Sequence, residues 1–200
     1  MPDITWTNPF FPTLLYPSVV PLDSRTFLDV GCGKGVMGCL LRIYREPKRI
    51  VGVDVFNPYL EFVRKMGMYD SVLRLDVSES QLPFERNEFD IVFCLEVIEH
   101  LEKDRGLRLL QELERVGRRV IVSTPGSFAA QAHFDGNVNQ EHKSQYTVKD
   151  FEGRGYRVVG VGTFQVLGRD IRPISSHLGS LTFRFPRLSG TILAIKDSRA

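Results

Sequence analysis

The chain predicts a doubly wound α/β sheet with a ligand site at the carboxyl ends of its strands, and three observations carry that expectation. Short, almost wholly apolar runs alternate with segments of helical periodicity. A loop with glycine at every second position, Gly31-Cys32-Gly33-Lys34-Gly35, closes the first of those runs. An acidic residue then stands at or near the end of four successive runs, as Asp29, Asp54, Asp76 and Glu96.

In chain order, residues 1–25 predict an irregular arm, because Met1–Ser24 holds five prolines among the aromatics Trp6, Phe10, Phe11 and Tyr16. The arm either lies over the ligand cleft or covers one edge of the core. Thr26–Val30 reads as the first buried strand. Gly31, Gly33 and Gly35 permit positive φ and close backbone approach, and Val36–Tyr44 resumes at helical spacing. The loop therefore joins a strand end to a helix start, where unpaired N–H groups face a ligand. Asp29 sits two residues before the first glycine, where its charge would repel a pyrophosphate. It suits a cationic group such as the ammonium or sulfonium of S-adenosylmethionine, or else it caps loop amides. The glycine spacing also departs from the dinucleotide pattern G-x-G-x-x-G.

Arg49–Val55 is the second strand, with Asp54 placed to accept hydrogen bonds from ribose hydroxyls. Asn57 as N-cap and Pro58 at the first helical position then start a helix through Met66. Ser71–Val77 is the third strand; Asp76 could accept the adenine amino group or cap a turn, and Val77 and Leu82 would wall the ring. Phe89–Leu95 is apolar enough to lie centrally in a parallel sheet. Arg105–Val116 is an amphipathic helix stopped by Gly117, and Arg119–Thr124 is the fifth strand. Ser127–Tyr146 reads as a polar loop, Thr147-x-x-Asp150 as a capping box, and Tyr156–Gly162 and Thr191–Ile195 as the last two strands. The basic, aromatic stretch Gly168–Leu188 is assigned to no element.

Composition bounds the class. Two hundred residues, 42% hydrophobic and 25% charged, describe one globular domain with a sizeable core. The N-terminus lacks a basic segment followed by an apolar one, and no run reaches membrane-spanning length, which points to a cytoplasmic protein without a membrane span. Cys32, Cys39 and Cys94 are an odd set without C-x-x-C spacing and read as reduced thiols. A net charge of +2 gives no strong drive toward nucleic acid, although Arg154–Ala200 carries eight basic residues against two acidic ones.

These motifs together resemble the class I S-adenosylmethionine-dependent methyltransferases, and in particular the group called methyltransferase type 11. LDVGCGKG is similar to its cofactor loop, VGVDVFNPYLEFVR to its ribose strand, LDVSESQLPF to its adenine strand, FDIVFCLEVIEHL to its fourth strand and VIVSTPG to its fifth. The resemblance implies a Rossmann-like three-layer sandwich, with a seven-stranded, mostly parallel sheet whose last strand runs antiparallel. It implies one methyltransferase domain over residues 1–200, with the arm 1–25 and a variable segment 163–190. Asp29, Gly31, Cys32, Gly33 and Gly35 would hold the methionine end of S-adenosylmethionine, Asp54 with Val55 the ribose, Asp76 with Val77 the adenine, and Leu95 would flank the sulfonium.

Candidate catalytic groups follow the fourth strand. Glu96, Glu99 and His100 fall at i, i+3 and i+4, which on a helix places them on one face. With His142 as a fourth ligand or as general base, they form a candidate site for Mg or Mn. Similar E-x-x-E-H clusters bind metal in small-RNA 2′-O-methyltransferases and ubiquinone-pathway O-methyltransferases, whereas in other members they cap the helix or touch substrate. His133 is a further candidate in the same loop. The expected reaction is methyl transfer to O or N of a small polar metabolite, the loop NQEHKSQYT resembling those of enzymes that methylate a sugar or nucleotide-sugar. An RNA acceptor and a non-catalytic cofactor-binding module are the competing readings, and the sequence leaves the oligomeric state open.

Overall fold

The computed structural model describes residues 17–127, 131, 136–166, 169–170 and 183–198, with 162–166 and 169–170 as backbone. Five parallel strands come first in the chain: β1 (Thr26–Val30), β2 (Arg49–Asp54), β3 (Ser71–Arg74), β4 (Phe89–Leu95) and β5 (Gly117–Pro125). The antiparallel end consists of β6 (Arg157–Val166), a two-residue β7 (Arg169–Asp170) and β8 (Ser189–Asp197). Across the sheet the order is β3-β2-β1-β4-β5-β8-β6-β7. The seven expected strands are present, β8 runs antiparallel to both neighbours, and β7 adds a short eighth strand at the edge.

Strand order reverses between β1 and β4, and such a switch point opens a crevice outside the strand ends. Alternation of side chains sends Phe27, Ile91, Phe93 and Leu95 to one face of the sheet. Leu28, Val30, Val92 and Cys94 go to the other. Helices α1 (Val36–Tyr44) and α2 (Asn57–Met66) cover the first face through Met37, Leu41, Leu60 and Val63. Helices α3 (Lys103–Val116) and α4 (Val148–Glu152) cover the second through Leu109, Leu113 and Phe151. These two cores make the three layers.

Several boundaries differ from the sequence pattern for local reasons. Asn57 is the first helical residue of α2 and not its cap; Phe56 holds the cap position, and the Asn57 amide donates to Glu61 at 2.7 Å. Strand β3 stops at Arg74 because the chain folds into a turn around Asp76, whose carboxylate accepts the Ser78 N–H at 2.9 Å. Helix α3 starts two residues before Arg105, and β6 and β8 extend each other by antiparallel pairing beyond their apolar stretches. The Thr147–Asp150 capping box is present in full. Of the arm, Val19 and Val20 are buried in the first core. Trp6, Phe10, Phe11 and Tyr16, together with His133 and most of Gly168–Leu188, lie outside the described residues.

Candidate active site

A cavity of about 490 Å³ opens at the carboxyl ends of β1, β2, β3 and β4, a volume suited to a nucleoside-sized ligand. Gly31 and Gly33 line it from the first loop, Asp54 and Val55 from the end of β2, and Asp76 and Val77 from the turn after β3. Glu96 and Val97 follow β4 on the opposite wall. Residues expected at the ribose and adenine thus meet in one space.

The glycine loop is held by its own backbone. The N–H groups of Gly31 and Cys32 both donate to the Val53 carbonyl, at 2.7 and 3.0 Å, and that of Gly35 donates to the Cys32 carbonyl at 2.9 Å. The Gly33 N–H donates to the Asp54 carboxylate at 2.9 Å. Those four amides are therefore already paired, contrary to the expectation of free donors, and the loop's contribution is close approach. Gly31, at φ +74, is the tightest point, since a Cβ there would lie 2.2 Å from Val97 Cγ2.

Asp54 accepts from the Phe56 N–H at 2.8 Å as well as from Gly33. A carboxylate offers about four lone-pair positions, so these two bonds leave acceptor capacity toward the cavity. Burial raises its pKa, and the backbone donors hold it back. Replacing Asp54 by alanine is expected to weaken S-adenosylhomocysteine binding by about 1–3 kcal/mol in a calorimetric titration. Unchanged affinity would remove Asp54 from the ribose.

Other candidate residues lie behind the cavity lining. Asp29 is buried below the loop, outside the cavity lining, and accepts the Tyr69 hydroxyl at 2.6 Å. Burial pushes its pKa up to about 7, with the Tyr69 bond pulling down and the Asp54 charge adding to the rise. The Cys32 side chain belongs to the first core, its thiol raised by burial, and Leu95 joins the same core. Gly35 sits at the start of α1 against Met68, Val63 and Tyr69, with no part in the cavity wall. At β4 the cavity wall is Glu96 and Val97 instead of Leu95.

The catalytic cluster also assembles in another way. Glu96 adopts φ +54 at the end of β4, and only Ile98–His100 forms a helical turn, of the 3-10 type. Helical spacing therefore does not bring Glu96 beside Glu99 and His100; its carboxylate accepts the Ser123 hydroxyl at 2.6 Å. Glu99, His100 and His142 do converge, their ligand atoms all within 4.8 Å of one another. Backbone bonds from Lys143 and Ser144 to the Glu99 carbonyl, at 2.9 and 3.0 Å, bring His142 there. The His100 ring lies 5.0 Å from that of His142 and also lines the cavity. Nδ1 of His100 lies 3.2 Å from the Glu141 carbonyl, and burial, the largest cause, lowers its pKa.

Glu99 is the unusual member. Only 2% exposed, its carboxylate has no well-formed hydrogen bond among the described residues, and the Thr124 hydroxyl beside it pulls its pKa only partly back. Burial first, and the charge of Glu96 second, push its pKa well above the carboxylate range. It faces a void of about 10 Å³ shared with Thr124 and His142. A buried carboxylate facing two imidazoles is a donor set that fits a divalent cation, and the mixed nitrogen and oxygen ligands suit Mn better than Mg.

Sequence reasoning missed several lining residues. Tyr59, Arg105, Asn137, Gln140 and Lys143 reach the cavity from α2, α3 and the loop before α4. Tyr59 had a usable signal, the first turn of the helix after β2. The loop residues had none, since their placement depends on long-range bonds such as Gln140 to the Tyr59 hydroxyl at 3.4 Å.

Comparison with known proteins agrees with this geometry. The sequence model of a family described as the methyltransferase domain matches residues 28–119. The tRNA U34 carboxymethyltransferase of Aliivibrio fischeri (strain MJ11) is 34% identical over 126 residues, covering 60% of this chain and 38% of that protein. The mitochondrial ubiquinone biosynthesis O-methyltransferase of Schizosaccharomyces pombe is 34% identical over 108 residues, covering 50% of this chain and 38% of that one. The chain thus spans well under half the length of either. A solved S-adenosylmethionine-dependent methyltransferase from Archaeoglobus fulgidus shares the fold at a TM-score of 0.59 and 17% identity, over 88% of this chain and 87% of that one. Among the described residues no helix is long and apolar enough to cross a membrane. In its matched segment and in its sheet order alike, the chain is similar to the S-adenosylmethionine-dependent methyltransferases.

Proposed function

We propose that this domain methylates a hydroxyl oxygen of a small polar acceptor, with a divalent cation held by Glu99, His100 and His142. The observation that carries this reading is the convergence of the buried Glu99 carboxylate with two imidazoles, one of which lines the cavity. An amine or thiol acceptor would need little help toward nucleophilicity, whereas a hydroxyl needs a base or a metal. Bound at these three residues, the cation would acidify the acceptor hydroxyl, and S-adenosylmethionine supplies a methyl carbon activated by its sulfonium.

The chain's own groups do the rest. Asp54 orients the ribose end, and Asp76 with Val77 receives the adenine. Glu96, whose pKa burial raises to about 7, stands at the cavity wall with one oxygen engaged by Ser123 and the other able to take the hydroxyl proton. As the acceptor oxygen bonds to the methyl carbon, the C–S bond breaks, its electron pair stays on sulfur, and S-adenosylhomocysteine leaves. Positioning in a partly dry site supplies much of the rate.

Neither relative named above is named for a sugar, so a sugar or nucleotide-sugar is one member of the acceptor panel and no longer the leading one. RNA is the second reading. It is favoured by the tRNA relative and by Arg105 and Lys143 among the cavity-lining residues. The test is transfer of a labelled methyl group to a panel of hydroxylated metabolites, sugars and short RNAs, each with Mn, with Mg and with a chelator. Transfer that needs the cation supports the proposal; equal transfer under chelation removes the metal from it.

A further inference from the structure

We infer that Tyr69 is a positioning residue for the cofactor: its hydroxyl aims Asp29 and pins the start of α1, fixing both flanks of the glycine loop at once. The inference rests on the reading of Asp29 as the group that holds the cationic methionine end.

Tyr69 lies between α2 and β3 with its ring buried beneath the loop. Its hydroxyl donates to Asp29 Oδ2 at 2.6 Å and accepts the Gly38 N–H at 3.3 Å. That N–H is among the first donors of α1, which have no partner inside the helix. The residue at the cap position, Gly35, offers no side chain to satisfy them. A tyrosine from elsewhere in the chain therefore caps α1 and, through the same oxygen, holds the carboxylate at the end of β1.

Three glycines are shaped around this ring. A Cβ on Gly38 would come within 2.6 Å of Tyr69 Cζ, one on Gly52 within 3.1 Å of Cδ1, and one on Gly35 within 3.3 Å of Cε2. Those residues belong to α1, β2 and the loop itself, so the tyrosine is the wedge on which all three elements close.

The groups facing Asp29 are Tyr69, Asp54 on β2, Cys32 in the loop and Cys94 on β4. Among the described residues none of these is cationic, and the Tyr69 hydroxyl is the one that favours the ionised carboxylate. Removing it should raise the Asp29 pKa above its present value of about 7. A hydrogen bond to a charged group is worth on the order of one pKa unit or more. If ionised Asp29 binds the ammonium, affinity climbs as pH rises through that pKa, and the variant's climb comes later.

The experiment is calorimetric titration of S-adenosylhomocysteine into the whole chain and into Tyr69→Phe, Asp29→Asn and the double variant, from about pH 6 to 8.5. Tyr69→Phe keeps the ring, and a thermal melt confirms folding. Its affinity is expected to fall about tenfold near pH 7, with the gap to the parent narrowing toward pH 8.5. In the Asp29→Asn background the same change should leave no pH-dependent gap. A constant factor at every pH, or no change, would overturn the role of Tyr69 and leave only packing. Unaltered binding by Asp29→Asn would instead overturn the assignment of Asp29, and absence of binding by the parent would overturn the cofactor cavity itself.

Discussion

Replacing Glu99 with glutamine is expected to lower methyl transfer on the order of 10²-fold or more while S-adenosylhomocysteine still binds. The carboxylate is not among the groups that line the cavity, so cofactor affinity is not expected to follow it. Turnover does, because an amide cannot supply the anionic ligand that balances a divalent charge. His142→Ala should behave alike. Full activity in either variant would dismiss the cluster from the mechanism.

The same substitution should not destabilise the metal-free fold. A buried carboxylate without a cation costs stability wherever it is charged, and glutamine keeps the volume without the charge. The sign of the pH effect follows from the raised pKa of Glu99. Between the unfolded and folded pKa values the native state holds a proton that the unfolded chain has lost, so stability falls as pH rises through that window and levels off above it. A divalent cation reverses the preference by stabilising the ionised form. Adding Mn should therefore raise the melting temperature more at pH 8 than at pH 5, and Glu99→Gln should abolish most of that increment. A pH-independent increment would place the ion elsewhere.

How much of this was legible before the structure depended on the range of the interaction. The inner strands were legible because they bury both faces, so apolar runs such as Ile91–Leu95 are unbroken. The glycine loop was legible because close approach and positive φ restrict the residue types allowed. Asp54 and Asp76, read as cofactor contacts from strand ends alone, both line the cavity. What could not be read were the contacts made between distant parts of the chain. Asp29 was read as holding the methionine end, but its bond to a tyrosine forty residues later could not be read. Helical spacing suggested that Glu96 joins Glu99 and His100, but the chain leaves β4 through a left-handed residue, and helical geometry does not apply there. His142 was singled out as a ligand on chemistry, while its delivery depends on backbone bonds to the Glu99 carbonyl, which no local pattern announces.

Gly31→Ala is expected to remove most cofactor binding, and its two costs can be separated. The backbone at Gly31 has φ +74, where an L residue pays roughly 1–2 kcal/mol. The new methyl group would also sit 2.2 Å from Val97 Cγ2, an overlap that must move Val97 or the loop at a typical cost of about 1–3 kcal/mol. Both residues line the cavity, so either displacement acts where the ligand packs. Truncating the obstacle with Val97→Ala in the Gly31→Ala background removes the steric cost and leaves the backbone cost. Titration with S-adenosylhomocysteine should then show affinity partly restored, by on the order of tenfold or more given the overlap term. Complete restoration would mean that the loop tolerates φ +74 in alanine, and no restoration would mean that the loop had refolded beyond the reach of Val97. Partial rescue alone identifies the opposing walls, the β1 loop and the end of β4, as one fitted pair.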